Sequence, residues 1–314
     1  MPEADEFSAH RDHLMAVAYR MLGSRSDAED AVQEAWLRFA AARTEEMADL
    51  RAWLTTVTAR ICLDLLRSAR VRREAYVGPW LPEPVVTRLP AGMAFAGDLG
   101  AEDDPAERVV RLDEVSLALL VVLERLTPEQ RVAFILHDVF AVPFDEIASV
   151  LGGTPEAARQ LASRARRAVA EGRPRHRADL NEQRRVLSAF LNAAERGDVD
   201  ALLAVLAPDV VAIGDGGGVA PAGKAPFVGA LQVARFMAGI FRQAARTGGI
   251  LEPVLVNGAL GLLAEGELAG YGTVRLVMGF AIEDGRVTGI FDVLNPAKLA
   301  GVPRPDPARS LLRS

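Results

Sequence analysis

The stretch "VPFDEIASVLGGTPEAARQLASRARRAV", Val142–Val169, decides how the middle of the chain folds. Its first part has the apolar spacing of a short helix, and Gly152–Gly153 interrupts that helix. Thr154 is then placed to cap a second helix that has Pro155 at its first position. Two helices joined by a tight glycine turn predict a helix-turn-helix.

The second helix of this pair is strongly basic, although the chain as a whole carries a net charge of -6. It holds one acid, Glu156, against four arginines: Arg159, Arg164, Arg166 and Arg167. A solvated helix face is one explanation of such a charge run, and a surface that faces phosphates is the other. The capped helix and glycine turn ahead of it favour DNA binding.

Charge alternates in blocks along the first 178 residues. Residues 1–50 hold 5 basic and 11 acidic residues, and residues 51–73 hold 6 and 1. Residues 74–154 hold 5 and 14, and residues 155–178 hold 7 and 2. Two basic patches separated by acidic ones predict two anion-binding surfaces with an acidic surface between them.

The composition excludes several classes of protein. A chain of 314 residues predicts two or three domains. Cys62 is the only cysteine and His176 the last of four histidines, so we expect no disulfide, no metal site and no cofactor. The longest apolar run, Leu117–Leu123, is too short to span a membrane, and the acidic N-terminus is unlike a secretory signal. We therefore expect a soluble, cytoplasmic protein.

The first 75 residues have the pattern of three helices. Gly23 ends the first helix, and Ser26 is predicted to cap the second, with Glu29 in the capping-box position. The predicted inner face of the second helix consists of Val32, Ala35, Trp36 and Phe39. The third helix is predicted to bury Trp53, Leu54, Val57, Ile61 and Leu65.

The pattern of the sequence changes twice after these helices. From Tyr76 a proline-rich stretch without a sustained period predicts a linker, and a helical pattern resumes at Asp104. Thr127 is predicted to cap the next helix. The last third of the chain has helices followed by strand-like runs, with a hairpin turn at Asp284–Gly285. It predicts a small α+β domain, followed by a flexible tail at residues 301–314.

The order of these blocks resembles a bacterial sigma factor of the extracytoplasmic-function (ECF) type. "DAEDAVQEAWLRF" and "WLTTVTARICLDLLR" resemble sigma region 2, and "LTPEQRVAFILHDVFAVPFDEIASVLG" resembles region 4. "WLPEP", "DGGG" and "NPAKL" are similar to the motifs of sigma factors with a fused SnoaL-like domain of the NTF2 fold.

The resemblance implies a multidomain fold class, with two all-α sigma domains followed by an α+β NTF2-like cone. Region 2 is expected at residues 1–75, a linker at 76–107 and the region 4 helix-turn-helix at 108–175. The SnoaL-like domain is expected at 180–300.

The resemblance also implies a role for each charged surface. Core RNA polymerase would be bound by an acidic and amide-rich edge: Asp30, Gln33 and Glu34. The promoter -10 element would be bound, and its melted DNA held, by Arg60, Arg67, Arg70, Arg72 and Arg73. The -35 element would be read by Glu156, Arg159, Gln160 and Ser163 and held through its phosphates by Arg164, Arg166 and Arg167.

The three motifs of the SnoaL-like family imply regulation in cis through contacts between the linker and the C-terminal domain. The residues concerned are Trp80, Leu81, Pro82, Glu83, Pro84, Asp215, Gly216, Gly217, Gly218, Asn295, Pro296, Lys298 and Leu299. Val219 stands where the family commonly has a lysine, and Ala297 where an acid is usual. Such a domain would replace a separate anti-sigma factor, and its fold leaves room for a small-molecule ligand.

Catalysis is not expected in the C-terminal domain. It contains no histidine, and only Asp209, Asp215 and Asp292 are candidates for acid–base chemistry. Two alternatives stay open from the sequence: a ligand-gated helix-turn-helix activator, and a SnoaL-like enzyme fused to a DNA-binding module. Binding to core polymerase would separate the sigma factor from the first alternative, and substrate turnover would support the second.

Overall fold

The computed structural model describes residues 2–42, 49–74, 76–89, 116–172 and 178–312. The chain divides into two compact units. One consists of Met1–Ala75 and Leu120–Arg173, and the other of Tyr76–Leu119 and Pro174–Ser314. The predicted sigma regions thus share a unit, while the linker belongs with the C-terminal domain. Within the described residues, no helix is both long and apolar enough to cross a membrane.

The first unit is built from helices. The three upstream helices are α1 (Pro2–Leu22), α2 (Arg25–Ala41) and α3 (Leu50–Glu74). The helix-turn-helix part follows as α4 (Leu117–Leu123), α5 (Pro128–Phe134, continued by a π-turn at Ile135–Val139), α6 (Phe144–Leu151) and α7 (Pro155–Gly172). The helical pattern expected from Asp104 lies outside the described residues up to residue 115.

The N-terminal cap of α2 differs from the prediction. Ser24 caps the helix, because its hydroxyl accepts the backbone N–H of Asp27 at 3.1 Å. The predicted cap, Ser26, lies inside the first turn. Gly23 ends α1 as expected, with a φ of 67° that glycine adopts without strain, and the next helix starts directly after the serine that follows it.

The predicted inner faces of α2 and α3 are largely confirmed. Trp36 and Trp53 are only half-buried, and their rings pack near Phe39, which is 1% exposed. On α3, Leu66 is buried and the predicted Leu65 is half-buried. The helical period identifies the face, and packing decides which of two adjacent leucines lies deeper.

The caps of the helix-turn-helix follow the sequence. Thr127 and Gln130 form a capping box at the start of α5, each side chain accepting the other residue's backbone N–H. Gly152 ends α6 in the left-handed conformation, with a φ of 69°.

The second unit is an α+β domain around one seven-stranded sheet. Its helices are α8 (Leu180–Arg196), α9 (Val199–Val205) and α10 (Ala230–Arg246). Its strands are β1 (Val86–Arg88), β2 (Leu206–Asp215), β3 (Phe227–Val228), β4 (Ile250–Val256), β5 (Ala259–Leu268), β6 (Gly272–Glu283) and β7 (Arg286–Val293). The strand order is β1-β4-β5-β6-β7-β2-β3, and among the strands that the structure describes only the β2–β7 pair is parallel.

The hairpin at Asp284–Gly285 is confirmed, since both residues have positive φ and join β6 to β7. Several elements were not foreseen, among them α10 and the strands β1, β3 and β4. The helix α10 buries Val233, Met237 and Phe241 at helical spacing. The strand β1 comes from the predicted linker and pairs with β4, so that Val86 lies opposite Val256.

The sheet is apolar on both faces. Leu262, Met278 and Ile290 point into the main core beneath α8 and α10, and they form the inner face. Leu263, Val277 and Val293 alternate with them on the outer face, where they are also buried. Part of the linker lies on this outer face, since the backbone N–H of Leu81 donates to the carboxylate of Asp215.

The segment expected to be a flexible tail is packed in the structure as far as residue 312. The backbone N–H of Leu311 donates to the carbonyl of Leu251 at 2.8 Å. The backbone N–H of Asp306 donates to the buried carboxylate of Glu252, which also pairs with Arg88 of β1 at 3.2 Å. Proline-rich composition predicted no helix or strand here, but extended backbone can still hydrogen-bond to a sheet edge.

Asp292 is a buried carboxyl on β7. Its Oδ1 has no hydrogen-bond partner among the described residues. Its neighbours in the sheet, Met278 and Gly214, carry no charge. Burial raises the pKa of Asp292 from an ordinary value of 3.8 to about 7.

We predict that Asp292→Asn stabilises the protein increasingly as pH rises. An acid whose pKa is higher in the folded state contributes stability below its unfolded pKa, and that contribution is lost as pH rises through the folded pKa. Asparagine avoids this loss, so the variant's advantage should grow by roughly 2–3 kcal/mol between pH 5 and pH 8. Urea unfolding at the two pH values measures it. Asp209→Asn, at an exposed site of β2, is the control. A pH-independent advantage would show that Asp292 is ionised when folded.

Candidate DNA-binding helix and linker clasp

The helix α7 presents one buried and one exposed face. Ala158, Ala162, Ala165 and Val169 are buried at helical spacing. Thr154 precedes the helix, and its hydroxyl accepts the backbone N–H of Ala157 at 3.2 Å. Of the predicted DNA-contacting residues, Ser163 is half-buried. The others are exposed: Glu156, Arg159, Gln160, Arg164, Arg166 and Arg167. The N-terminal half of this helix is thus open to a ligand.

Two of the four arginines on α7 have partners within the same unit. The guanidinium of Arg159 lies 5.1 Å from the ring centroid of Phe144. The Nε of Arg166 lies 2.6 Å from the Oδ1 of Asp138. Arg164 and Arg167 form no ion pair with any described residue. These two are the arginines that can approach a phosphate without first breaking an ion pair with a described residue.

The predicted polymerase-binding edge lies on the outer face of α2. Asp30 and Gln33 are exposed. Glu34 is half-buried and accepts a hydrogen bond from the Nε of Arg38 at 2.9 Å. The three residues are spaced three and four apart, so they share one helix face.

Two of the predicted -10 arginines, Arg60 and Arg67, contact the helix-turn-helix part of the same unit. Arg60 donates to the carbonyl and hydroxyl oxygens of Ser149, both at 2.9 Å. Arg67 donates to Glu129 at 3.0 Å. The side chains of the other three, Arg70, Arg72 and Arg73, lie outside the described residues, although the helix backbone continues to Glu74. Arg60 and Arg67 therefore bridge α3 to α6 and α5.

The three motifs singled out in the sequence meet at one buried carboxylate, that of Asp215. Its Oδ1 accepts the hydroxyl of Tyr76 at 2.5 Å and the backbone N–H of Gly217 at 3.1 Å. Its Oδ2 accepts the backbone N–H of Leu81 at 2.8 Å and pairs with the Nζ of Lys298 at 2.6 Å. We call Tyr76, Leu81, Asp215, Asn295 and Lys298 the linker clasp.

Lys298 contacts the linker as well as Asp215. Its ammonium donates to the carbonyl of Leu81 and lies 3.8 Å from the ring centroid of Trp80. Its side chain is 8% exposed and that of Asp215 is fully buried. Lys298 thus supplies the cation of the clasp, whereas Val219 is exposed and the nearby Lys224 is exposed as well.

Asn295 joins the third motif to the other two. Its amide donates to the hydroxyl of Tyr76 at 2.8 Å, and its backbone N–H donates to the carbonyl of Asp215 at 2.9 Å. A Cβ on Gly217 would lie 2.5 Å from the Asn295 amide, so the third residue of "DGGG" has to be glycine. Burial and the contact with Asp215 raise the pKa of the Tyr76 hydroxyl, which stays a hydrogen-bond donor.

The remaining residues of "WLPEP" and "NPAKL" take different places around the clasp. Leu81, Pro82, Pro84 and Leu299 are buried, while Trp80 and Glu83 are half-buried. Pro296 is exposed. Sequence reasoning missed Tyr76, Arg88 and Glu252. The charged Glu252 between Leu251 and Pro253 in a strand-like run was the one available signal, because a charge inside a buried strand requires a partner.

The three aspartates that the sequence offered for acid–base chemistry do not share one site in the described part of the chain. Asp209 is exposed, Asp215 is fully engaged in the clasp, and Asp292 lies alone on the inner face of the sheet. No described group of histidine, cysteine, aspartate or glutamate side chains could hold a metal ion.

Comparisons with known proteins agree with this architecture. Residues 7–72 match the family model for sigma-70 region 2, and residues 116–169 match that for sigma-70 region 4. The ECF RNA polymerase sigma factor SigJ of Mycobacterium tuberculosis is 45% identical over 307 residues, covering 96% of this chain and 94% of SigJ.

Solved structures extend the likeness to the whole chain. The crystal structure of Mycobacterium tuberculosis SigJ matches with a TM-score of 0.72 and 41% identity, over 99% of this chain and 100% of that one. An NTF2-like protein of unknown function from Mesorhizobium loti, 21% identical with a TM-score of 0.31, matches 38% of this chain and 97% of its own. The chain therefore belongs to the ECF family of RNA polymerase sigma factors, with a C-terminal α+β domain of the kind found in SigJ.

Proposed function

We propose that this sigma factor recognises its promoters through α7 and α3, and that its C-terminal domain regulates initiation in cis by holding the linker. The linker clasp is the observation that carries the regulatory part. The linker joins region 2 to region 4 in the sequence, so a domain that holds it restricts how far the two regions can separate. Regulation of this kind needs no separate anti-sigma factor and no catalytic step.

The energetics of the clasp support a regulatory contact. A buried carboxylate is costly unless its acceptor sites are filled, and here the linker fills two of them through Tyr76 and Leu81. Undocking the linker would leave Asp215 and Lys298 partly unsatisfied. The docked and undocked states are therefore discrete rather than continuously variable.

Promoter recognition follows from the exposed face of α7. Glu156, Gln160 and Ser163 lie in the part of the helix that enters a major groove in helix-turn-helix proteins, where side chains reach base edges. Arg164 and Arg167 are further along and suit phosphates. Arg159 and Arg166 can join them by exchanging their present partners for DNA.

In the first unit, two of the arginines predicted to bind the -10 element already have partners within the protein. Arg60 and Arg67 are occupied by Ser149 and Glu129, so they would bind DNA either by exchanging these partners or after an opening in which α3 separates from α5 and α6. We propose that binding to core polymerase, through Asp30, Gln33 and Glu34, favours this opening. The protein would act in the cytoplasm, where core polymerase is found.

The direct test of the function is promoter-specific transcription with purified core polymerase. We expect the full chain to support initiation that core polymerase alone does not. A chain that fails to bind core polymerase would instead favour the ligand-gated activator. Turnover of a small molecule that depends on a carboxyl group of the second unit would favour the fused enzyme.

The clasp can be tested with the two lysines of the chain. Lys298→Met should raise the rate of trypsin cleavage after Arg88 by about tenfold or more, because removal of one partner leaves a buried, unpaired carboxylate that destabilises the docked linker. Lys224→Met, at an exposed site, is the matched control and should cleave like the unmodified protein. Mass spectrometry of the fragments measures the rate.

The same pair of variants connects docking to transcription. If the clasp regulates initiation, Lys298→Met should change the transcript yield by about threefold or more, with no change for Lys224→Met. Faster cleavage without any change in yield would contradict regulation in cis while leaving the docked structure intact.

The different roles proposed for the residues of α7 give a further prediction. Arg167→Gln should weaken binding to specific and non-specific duplexes alike and reduce the salt dependence by about 0.9 in log–log slope. Gln160→Ala should leave that slope unchanged and alter the preferred -35 sequence. Fluorescence anisotropy across a salt series measures both, with Arg196→Gln on α8 as the control. A reduced slope for Gln160→Ala would assign that residue to phosphate contact instead.

A further inference from the structure

The ring of Phe144, at the start of α6, contacts side chains from two other parts of region 4. The imidazole of His137 is stacked on it, with 3.9 Å between the ring centroids and 29° between the planes. The guanidinium of Arg159, on the second turn of α7, lies over it at 5.1 Å from the centroid. Arg159 is exposed and the two rings are half-buried, so this arrangement lies at the surface. We call His137, Phe144 and Arg159 the arginine stack.

The position of His137 is fixed by the chain that follows the π-turn. Its Nδ1 lies 3.2 Å from the carbonyl oxygen of Val142, so this hydrogen bond requires the proton on Nδ1. The backbone N–H groups of Ala141 and Val142 donate to the carbonyls of His137 and Leu136 at 3.0 and 2.9 Å. Ala141 has a φ of 54°, which is strained for alanine. Such strain persists where the surrounding contacts determine the conformation, so the imidazole is held in one place.

The same π-turn contacts a second arginine of α7. Asp138, the residue after His137, accepts a hydrogen bond from the Nε of Arg166 at 2.6 Å. Arg159 and Arg166 are seven residues apart, which is about two helical turns, so they project from one face of α7. Their contacts differ in kind. A carboxylate balances the charge of Arg166, whereas Arg159 forms no ion pair with any described residue.

An aromatic ring can hold an arginine without using up its hydrogen-bonding capacity. A carboxylate accepts the guanidinium N–H groups and neutralises the charge, whereas a ring offers no oxygen atom that would compete with DNA. Arg159 is therefore oriented while its N–H donors stay available. A side chain that is already ordered also loses less conformational freedom when it binds.

Guanine is the base that suits an arginine held in this way. Its edge in the major groove presents the O6 and N7 acceptors side by side, and a guanidinium can donate to both at once. This bidentate contact depends on the direction in which the guanidinium points. A residue that sets this direction therefore affects which base is preferred at that position.

We propose that Phe144 is a positioning residue for promoter recognition: its ring, supported by His137, directs the guanidinium of Arg159 to one guanine of the -35 element. This inference rests on the proposed role of α7 in reading that element. It adds to α7 a residue of α6, which acts through Arg159 rather than by its own contact with DNA.

The stack itself can be tested without DNA. In a nitrogen-15 NMR spectrum of the arginine Nε–H groups of the full chain, Arg159→Ala identifies the signal of Arg159 by its loss. We expect Phe144→Leu to move this signal, because a nearby aromatic ring shifts it. Phe140→Leu is the matched control, since Phe140 is also half-buried but contacts His13 and Arg20 instead. A signal that Phe144→Leu does not move would overturn the proposal.

Base preference is measured by selection from a duplex library. The full chain, assembled with purified core polymerase, is mixed with duplexes that carry a block of randomised base pairs, and the bound fraction is sequenced. We expect a position at which guanine is enriched about tenfold or more over adenine. Arg159→Ala should abolish this enrichment, because it removes the bidentate contact.

Phe144→Leu should lower the guanine enrichment at that same position by about threefold or more and leave the other positions unchanged. Phe144→Tyr should retain the enrichment, because it keeps the aromatic face under the guanidinium. Phe140→Leu should behave like the unmodified protein. An unchanged preference in Phe144→Leu would contradict the proposal. So would a loss spread evenly over all positions, since that is the effect of a general structural role.

The part played by His137 has its own variant. His137→Leu should lower the guanine enrichment at the same position by less than Phe144→Leu does, because the ring of Phe144 loses its stacking partner but stays beside Arg159. No decrease, or a decrease at another position, would contradict the role of His137.

Failure of the proposed function is distinguishable from failure of this inference. If the unmodified chain with core polymerase selects no sequence, the role of α7 in reading the -35 element fails, and the role of Phe144 fails with it. If it selects a sequence that Arg159→Ala leaves unchanged, α7 reads DNA through its other residues and only the positioning role of Phe144 is overturned.

Discussion

The second unit depends on the requirement that the buried carboxylate of Asp215 be satisfied. Four groups satisfy it: two come from the linker, one from the turn that follows β2, and one from the segment after β7. Their positions in the sequence are far apart, from Tyr76 to Lys298. Burial of this carboxylate therefore favours docking of the linker, because two of its four partners come from the linker.

Two carboxyl groups on adjacent strands illustrate opposite uses of burial. Asp215 on β2 faces outward into a complete set of donors and a cation, and it fixes the position of the linker. Asp292 on β7 faces inward, where its neighbours are apolar and its oxygen lacks a partner among the described residues. The first arrangement is typical of a structural contact. The second lowers stability, because a buried polar atom without a partner loses its hydrogen bonds to water.

Some local features of this chain could be predicted from the sequence, whereas the long-range pairings could not. Capping by Thr127 and the turn at Asp284–Gly285 depend on neighbouring residues, so the pattern was sufficient. The motifs of the linker clasp were found by resemblance, but the pairing of Lys298 with Asp215, 83 positions away, is a product of topology. The ion pairs of Arg67 with Glu129 and of Arg166 with Asp138 likewise could not be predicted from counts of charged residues along the sequence. The strand β1 is only three residues long, so it is too short to show the alternation of apolar and polar residues that indicates a strand.

The division into units has a consequence for the connectivity of region 4. The chain enters the second unit at Tyr76, leaves it after Leu119 and returns to it at Pro174, so the helix-turn-helix segment is an insertion within another folded body. In the sequence, this segment is therefore preceded and followed by segments of the second unit. Exchange of the C-terminal domain between related factors would therefore have to carry the linker strand with it, since β1 forms one edge of its sheet.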